Sequence, residues 1–168
     1  MTDESARLAL PLLAAGQAGK EVTHNEALTR LDLLVQPAVA AVGGNAPPAS
    51  PQPGQCWIVG PAPTGDWAGH AQALAAWTAG GWRFVAPFDG FVAWSLATAR
   101  PVTYHTGLWR EGDVFASRLV VDGKAVVGSR GAAIADPAGG SVVDEPARRT
   151  LTGILNALRQ HGLIATAT

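Results

Sequence analysis

The sequence predicts an α+β chain: an N-terminal arm and short helix, a central antiparallel β meander of short strands, and a C-terminal helix used for oligomerisation. Two observations carry this. Apolar residues recur at helical spacing in a short segment near each end, and between them turn signals recur every 8–12 residues among short apolar runs. The expected parts are an N-terminal arm and helix for docking (1–45), a Pro-rich linker (46–54), a Trp/Gly-rich β domain (55–128), a flexible stretch (129–143) and the C-terminal helix (144–168).

Residues 8–21 begin apolar and end in Gly and polar residues. Pro11, Gly16 and Gly19 oppose a continuous helix, so this stretch reads as an arm that docks through Leu8, Leu10, Leu12 and Leu13. Thr23 and Glu26 have the spacing of a capping box, which predicts a helix start at Thr23. Ala27, Leu28, Leu31, Leu34 and Val35 then share a helical face, and Pro37 forces the stop. A helix this short is marginal alone in water, so it must pack on a sheet or on other copies.

Ala38 to Val42 reads as a short strand and Gly43-Gly44-Asn45 as a turn. Residues 46–54 (APPASPQPG) read as an exposed, semi-rigid linker. Beyond it, Gln55–Val59, Leu74–Thr78, Trp82–Val85, Phe91–Leu96, Val102–Tyr104 and Leu108-Trp109 are strand candidates. Ala79-Gly80-Gly81 joins two of them as a hairpin. Asp122-Gly123 predicts a second hairpin between Leu119–Val121 and Ala125–Val127, because both turn positions tolerate positive φ. The last helix starts at Asp144 or Glu145 with Pro146 in its first turn. It carries Ala147, Leu151, Ile154, Leu155 and Leu158 on one stripe, and ends at His161-Gly162 with Leu163 folding back.

Composition narrows the function classes. Charged residues make up 15% of the 168, against roughly 25% in an average domain, which suggests a surface partly covered by other chains. The net charge of −1 with scattered Lys and Arg disfavours nucleic acid as a partner. No apolar run approaches the roughly 20 residues of a membrane span, and the polar, acidic start does not read as a secretory signal. Cys56 is the single cysteine, so an intrachain disulfide is excluded and a small buried hydrophobe is expected.

Chemistry-bearing motifs are absent from the sequence: there is no G-x-S-x-G, P-loop, H-E-x-x-H or G-x-G-x-x-G. His24, His70, His105 and His161 lack ligand spacing, so neither a metal nor a cofactor is expected. Asp66, Asp89, Glu111 and Asp113 lie in or near turns. Two of them could form a glycosidase pair, but carboxylates at turns more often bond the local backbone. The expectation is a non-enzymatic binding or assembly module.

Tryptophan is the stronger signal. Trp57, Trp77 and Trp94 sit in apolar runs and read as core, while Trp82 shares a strand face with Phe84. Trp67 and Trp109 follow Gly-containing loops, and with Asp66 and His70 they are the candidate binding residues. The competing reading makes Trp67 a plug over the end of the sheet. Leu28, Leu31, Leu34, Leu151, Ile154, Leu155 and Leu158 are the candidate oligomerisation and docking residues.

The strings Lys20-Glu21-Val22-Thr23-His24-Asn25-Glu26-Ala27-Leu28, Thr64-Gly65 with Trp67-Ala68-Gly69-His70, Gly81-Trp82-Arg83-Phe84 and His161-Gly162-Leu163-Ile164 resemble a family of bacteriophage, prophage and gene-transfer-agent proteins. That family was long labelled as of unknown function, and its members are virion spike or tail-fibre components. The resemblance runs over residues 8–165. It implies a structural protein on the particle surface, made in the bacterial host cytoplasm. It would be a head-spike or fibre base or adaptor, partnered by capsid or tail proteins and by itself, as a homotrimer first and a pentamer second. It brings no catalytic residues. The alternatives are a module that binds host surface polysaccharide and, behind it, a glycan hydrolase.

Overall fold

The computed structural model describes residues 4–16 and 18–166. The fold is α+β. Its elements are α1 (Lys20–Leu34), β1 (Ala38–Val39), β2 (Val42–Gly44), β3 (Cys56–Val59), a 3-10 turn (Gly65–Trp67), β4 (Leu74–Thr78), β5 (Gly81–Val85), β6 (Val92–Ser95), β7 (Arg100–His105), β8 (Leu108–Glu111), β9 (Leu119–Val121), β10 (Lys124–Val127) and α2 (Glu145–Gln160). The chain divides into two compact units, Met1–Asp113 and Val114–Thr168.

The first unit holds two four-stranded sheets, ordered β1-β6-β7-β8 and β2-β3-β4-β5. Hairpin neighbours pair antiparallel, as the turn signals require. The segment expected as one strand, Ala38 to Val42, instead splits. β1 joins one sheet and β2 the other, and both pair parallel, with β6 and β3 respectively. The meander is therefore mixed rather than wholly antiparallel. A parallel pair needs a long crossover, and the Pro-rich stretch before β3 supplies it for β2 and β3. That stretch does not bound a domain. It lies inside the first unit, where the Gly54 amide donates to the Trp77 carbonyl at 2.9 Å.

One apolar layer contains Leu33, Val39, Cys56, Ile58, Leu74, Ala76, Phe91, Ala93 and Val102, drawn from α1 and from both sheets. The other face of the β2–β5 sheet carries a second layer of Trp57, Val59, Trp67 and Ala75. All of β3 is therefore buried, and its run Cys-Trp-Ile-Val shows the unbroken apolar pattern of a strand covered on both faces. Trp94, expected in the core, is 47% exposed. The pleat is the reason: Ala93 and Ser95 are buried, so the alternate residues Val92 and Trp94 point outward.

α1 starts at Lys20, one turn before the expected capping box. Gly19 precedes it at φ 82°, a left-handed conformation that suits glycine, and no side chain caps the helix. Thr23 thus lies inside the helix. Glu26 pairs with Arg30 at 3.2 Å and with Arg83 of β5 at 2.9 Å. The Arg83 hydrogen bond holds the Glu26 carboxyl below its ordinary range. The inward helix residues are Asp32 and Leu33, not the expected stripe. Leu34 packs against the core, whereas Leu28 is half-buried and Leu31 is 50% exposed.

The arm is tied down by polar groups, while of its leucines Leu8 and Leu13 are exposed and Leu10 and Leu12 half-buried. The Asp32 carboxylate accepts from the Ser5 hydroxyl (2.7 Å) and from the amides of Arg7 (3.1 Å) and Leu8 (2.7 Å). The Arg7 guanidinium donates to the carbonyls of Asp32 and Gln36 at the end of α1. Asn25 donates to the Leu13 carbonyl and accepts from its amide, each at 2.9 Å.

The second unit contains the β9–β10 hairpin and α2. Asp122 and Gly123 both take positive φ (48° and 75°), as the hairpin signal requires. Asp144 caps α2 by accepting from the Ala147 amide at 3.0 Å, and Pro146 sits in the first turn. Gly162 adopts φ 71°, and the Leu163 amide returns to the Leu158 carbonyl at 2.9 Å. A bridge between Gly131 and Ile164 and hydrogen bonds from Arg159 to Asp136 and the Ile134 carbonyl tie the segment together.

Candidate functional site

The site with the most distinctive chemistry is the aromatic layer on the outer face of the β2–β5 sheet. Trp57, Trp77, Trp82 and Phe84 share that face because the register sets Trp77 opposite Trp82, and Trp57 and Phe84 on either side of Ala75. Asn45 builds the adjoining loop: its carbonyl accepts from the Thr64 amide at 2.7 Å, and its side chain accepts from the Ala62 amide at 3.0 Å. The 3-10 turn then brings Trp67 down onto the sheet.

Trp67 is 1% exposed. Its ring meets Trp82 edge-on at 5.4 Å and Trp57 at 6.3 Å. It is the plug of the competing reading, not an open contact, because the turn at Gly65 points the indole inward over strands that offer large aromatic partners. Its Nε1 is buried without a hydrogen-bond acceptor among the described residues. Asp66, beside it, is exposed.

Trp109 lies elsewhere. It packs in the first apolar layer against Phe91 (5.6 Å) and Tyr104 (5.3 Å), and its Nε1 donates to the Gln72 carbonyl at 2.8 Å. The structure therefore does not join Trp67 and Trp109 in one surface. Trp109 is half-buried, and Trp94 on β6 is 47% exposed. Trp77, Trp82 and Phe84 are half-buried, and the exposed His70 imidazole stacks on Phe84 at 3.7 Å with an angle of 3°. Trp77 and Trp82 meet edge-on at 5.1 Å. Strand alternation around the Ala79-Gly80-Gly81 turn was the available signal for this grouping.

Asp89 does the turn work expected of it, accepting from the Thr106 amide at 3.0 Å. The Thr98 hydroxyl donates to the Glu111 carboxylate and holds its carboxyl below the usual range. No group of three or more His, Cys, Asp or Glu is poised to hold a metal ion among the described residues. A cavity of about 340 Å³ opens between the arm, α1 and the β4–β5 turn, but of the two carboxylates that line it, Glu4 and Asp32, Asp32 already accepts from the arm.

The second unit carries the candidate docking residues of α2. Leu151 and Ile154 are 51% and 53% exposed, and Leu155 and Leu158 are half-buried. Every residue of the hairpin strands is exposed. Among its described residues the unit buries one side chain, Ile164.

No curated protein matches the chain. One family model matches residues 24–110, from within α1 to within β8, so the match lies wholly inside the first unit. That span is just over half of the 168 residues, and the chain belongs to the family described as "Protein of unknown function (DUF2793)".

Proposed function

We propose that this chain is a structural virion protein of a bacteriophage or gene transfer agent, a head-spike or fibre base or adaptor that self-assembles and attaches to capsid or tail. The observation that carries the reading is the apolar surface of residues 114–168. Leu151 and Ile154 on α2 and the valines of β9 and β10 stand exposed around a unit with one buried side chain among its described residues. Such a surface fits a chain made to be covered by other chains. The resemblance of the Lys20–Leu28 and His161–Ile164 strings to spike and fibre components supports the particle as its setting. In this reading the first unit is a rigid body stitched by its arm, and α2 belongs to the assembly interface. Electron cryo-microscopy of intact particles, with the chain tagged, tests it. Tag density at a fixed position on the particle surface is expected, and particles that lack the chain contradict the reading.

A second reading, binding of surface polysaccharide, is favoured by one observation: the accessible rings of Trp77, Trp82 and Phe84, with His70 stacked beside them. Aromatic faces of this kind stack on the C–H faces of sugar rings. The residues for it are these, in place of Trp67 and Trp109. Loss of polysaccharide retention in Trp82→Ala, with Trp94→Ala retaining it, is the expected pattern on a capsule-coated resin. Equal retention by both variants removes this reading.

A further inference from the structure

We infer that residues 4–13 of the arm are a strap that opens and closes as one unit over the cavity beside α1, while the two sheets stay folded behind it. The strap lies within the first unit and does not depend on how the chain assembles. The closed form is its resting state.

The strap is tied to itself. The Ser5 amide donates to the Leu10 carbonyl and the Leu10 amide to the Ser5 hydroxyl, each at 2.9 Å, and Glu4 bridges to Pro11. Residues 4–11 therefore keep one shape when they move.

Its hold on the rest of the unit is polar. Ser5, Arg7 and Leu8 donate to the Asp32 carboxylate, and the Arg7 guanidinium reaches the Gln36 carbonyl at 2.9 Å. Asn25 bonds both backbone groups of Leu13. No residue of 4–13 is buried, and none belongs to either apolar layer. Hydrogen bonds that are exchanged for bonds to water contribute little net stability, whereas the sheets are held by buried apolar side chains. When the strap lifts, water takes the place of its donors on Asp32, so the carboxylate is not left buried and bare.

The strap also lies over open space. It crosses close to Gly54, where a Cβ would stand 3.2 Å from side-chain carbons of Ala6 and Arg7. Beside that crossing, its Glu4, Ser5 and Leu12 line the cavity of about 340 Å³ together with Leu33 and Thr78. A segment over a void forgoes the dispersion contacts that a packed one makes. Between Leu13 and α1 the chain passes through Gly16 at φ 99°, Ala18 at φ 57° and Gly19 at φ 82°. Glycine takes such angles freely and alanine is strained there, so this turn yields before α1 does. Segments with few buried apolar contacts and exposed hydrogen bonds are the first to open. Opening turns the cavity into a groove along α1, with Asp32 in water.

Native-state hydrogen exchange of the full chain, read by NMR, tests this. The amides of Ser5, Arg7, Leu8 and Leu10 are expected to share one protection, within about threefold of each other. That protection should lie on the order of a hundredfold or more below that of the paired amides of β3 and β4. Equal protection of strap and sheet overturns the inference, because the strap would then open only when the whole unit unfolds. Asn25→Ala removes the bonds to Leu13 and touches no other strap contact. It is expected to lower the protection of Ser5, Arg7, Leu8 and Leu10 together, by about five- to tenfold. Unchanged protection at those four amides also overturns the inference, because the arm would then fray residue by residue.

Discussion

The Ser5 hydroxyl donates to the Asp32 carboxylate at 2.7 Å, across 27 residues of chain. That carboxylate is 2% exposed and also accepts from the amides of Arg7 and Leu8. A buried charge is tolerated only when it is hydrogen-bonded this fully. Removing it in Asp32→Ala strands the arm's donors. The expected cost is about 2–4 kcal/mol, read from urea unfolding followed by tryptophan fluorescence. Protease cleavage between residues 5 and 13 should accelerate in the same variant. Unchanged cleavage would mean that the arm is held by something else.

Trp67 makes the second prediction. Its indole fills the space between Trp57 and Trp82. Trp67→Ala should cost about 3–5 kcal/mol, and Trp67→Phe clearly less. If Trp67 were a surface contact, the alanine variant would keep the urea midpoint of the parent chain.

Gly60 is required for a different reason. A Cβ there would lie 2.3 Å from the Asn45 side-chain oxygen and 2.4 Å from the Gly43 carbonyl oxygen. The backbone partner cannot swing aside. Gly60→Ala should therefore destabilise the first unit by about 1–3 kcal/mol in the same urea assay. A neutral substitution would show that the β2–β3 crossover yields easily.

Cys56 gives a pH prediction. Burial pushes its thiol up to about 11 from an ordinary value of 9.0. At pH 8 the native protein should resist thiol-specific reagents and react only on unfolding. The unfolded thiol ionises first, so the folded state holds its proton longer. The stability this contributes is intact below pH 9 and falls as pH rises towards 11, by on the order of 2 kcal/mol. Cys56→Ala should flatten that part of the pH profile.

What the sequence made legible is what local chemistry decides. Asp122-Gly123 and Ala79-Gly80-Gly81 carry their turn types in their residues. Asp144, Pro146 and Gly162 mark the ends of α2 in the same way, and each is found where expected. What stayed hidden depends on partners distant in the chain. Asp32 reads as an ordinary polar position until Ser5 and Leu8 fold back onto it. The Thr23 capping box is locally sound, yet Gly19 opens the helix one turn earlier. At the site, the grouping of Trp82 with Phe84 was readable from strand alternation. The burial of Trp67 was not, because it depends on the loop that Asn45 fixes.

The most direct measurement is the mass of the purified full chain by light scattering at micromolar concentration, beside the Leu151→Asp/Leu155→Asp double variant. The native protein should run at three or more times 17.2 kDa, and the variant should fall towards a single chain. A native protein that stays at 17.2 kDa would contradict the account.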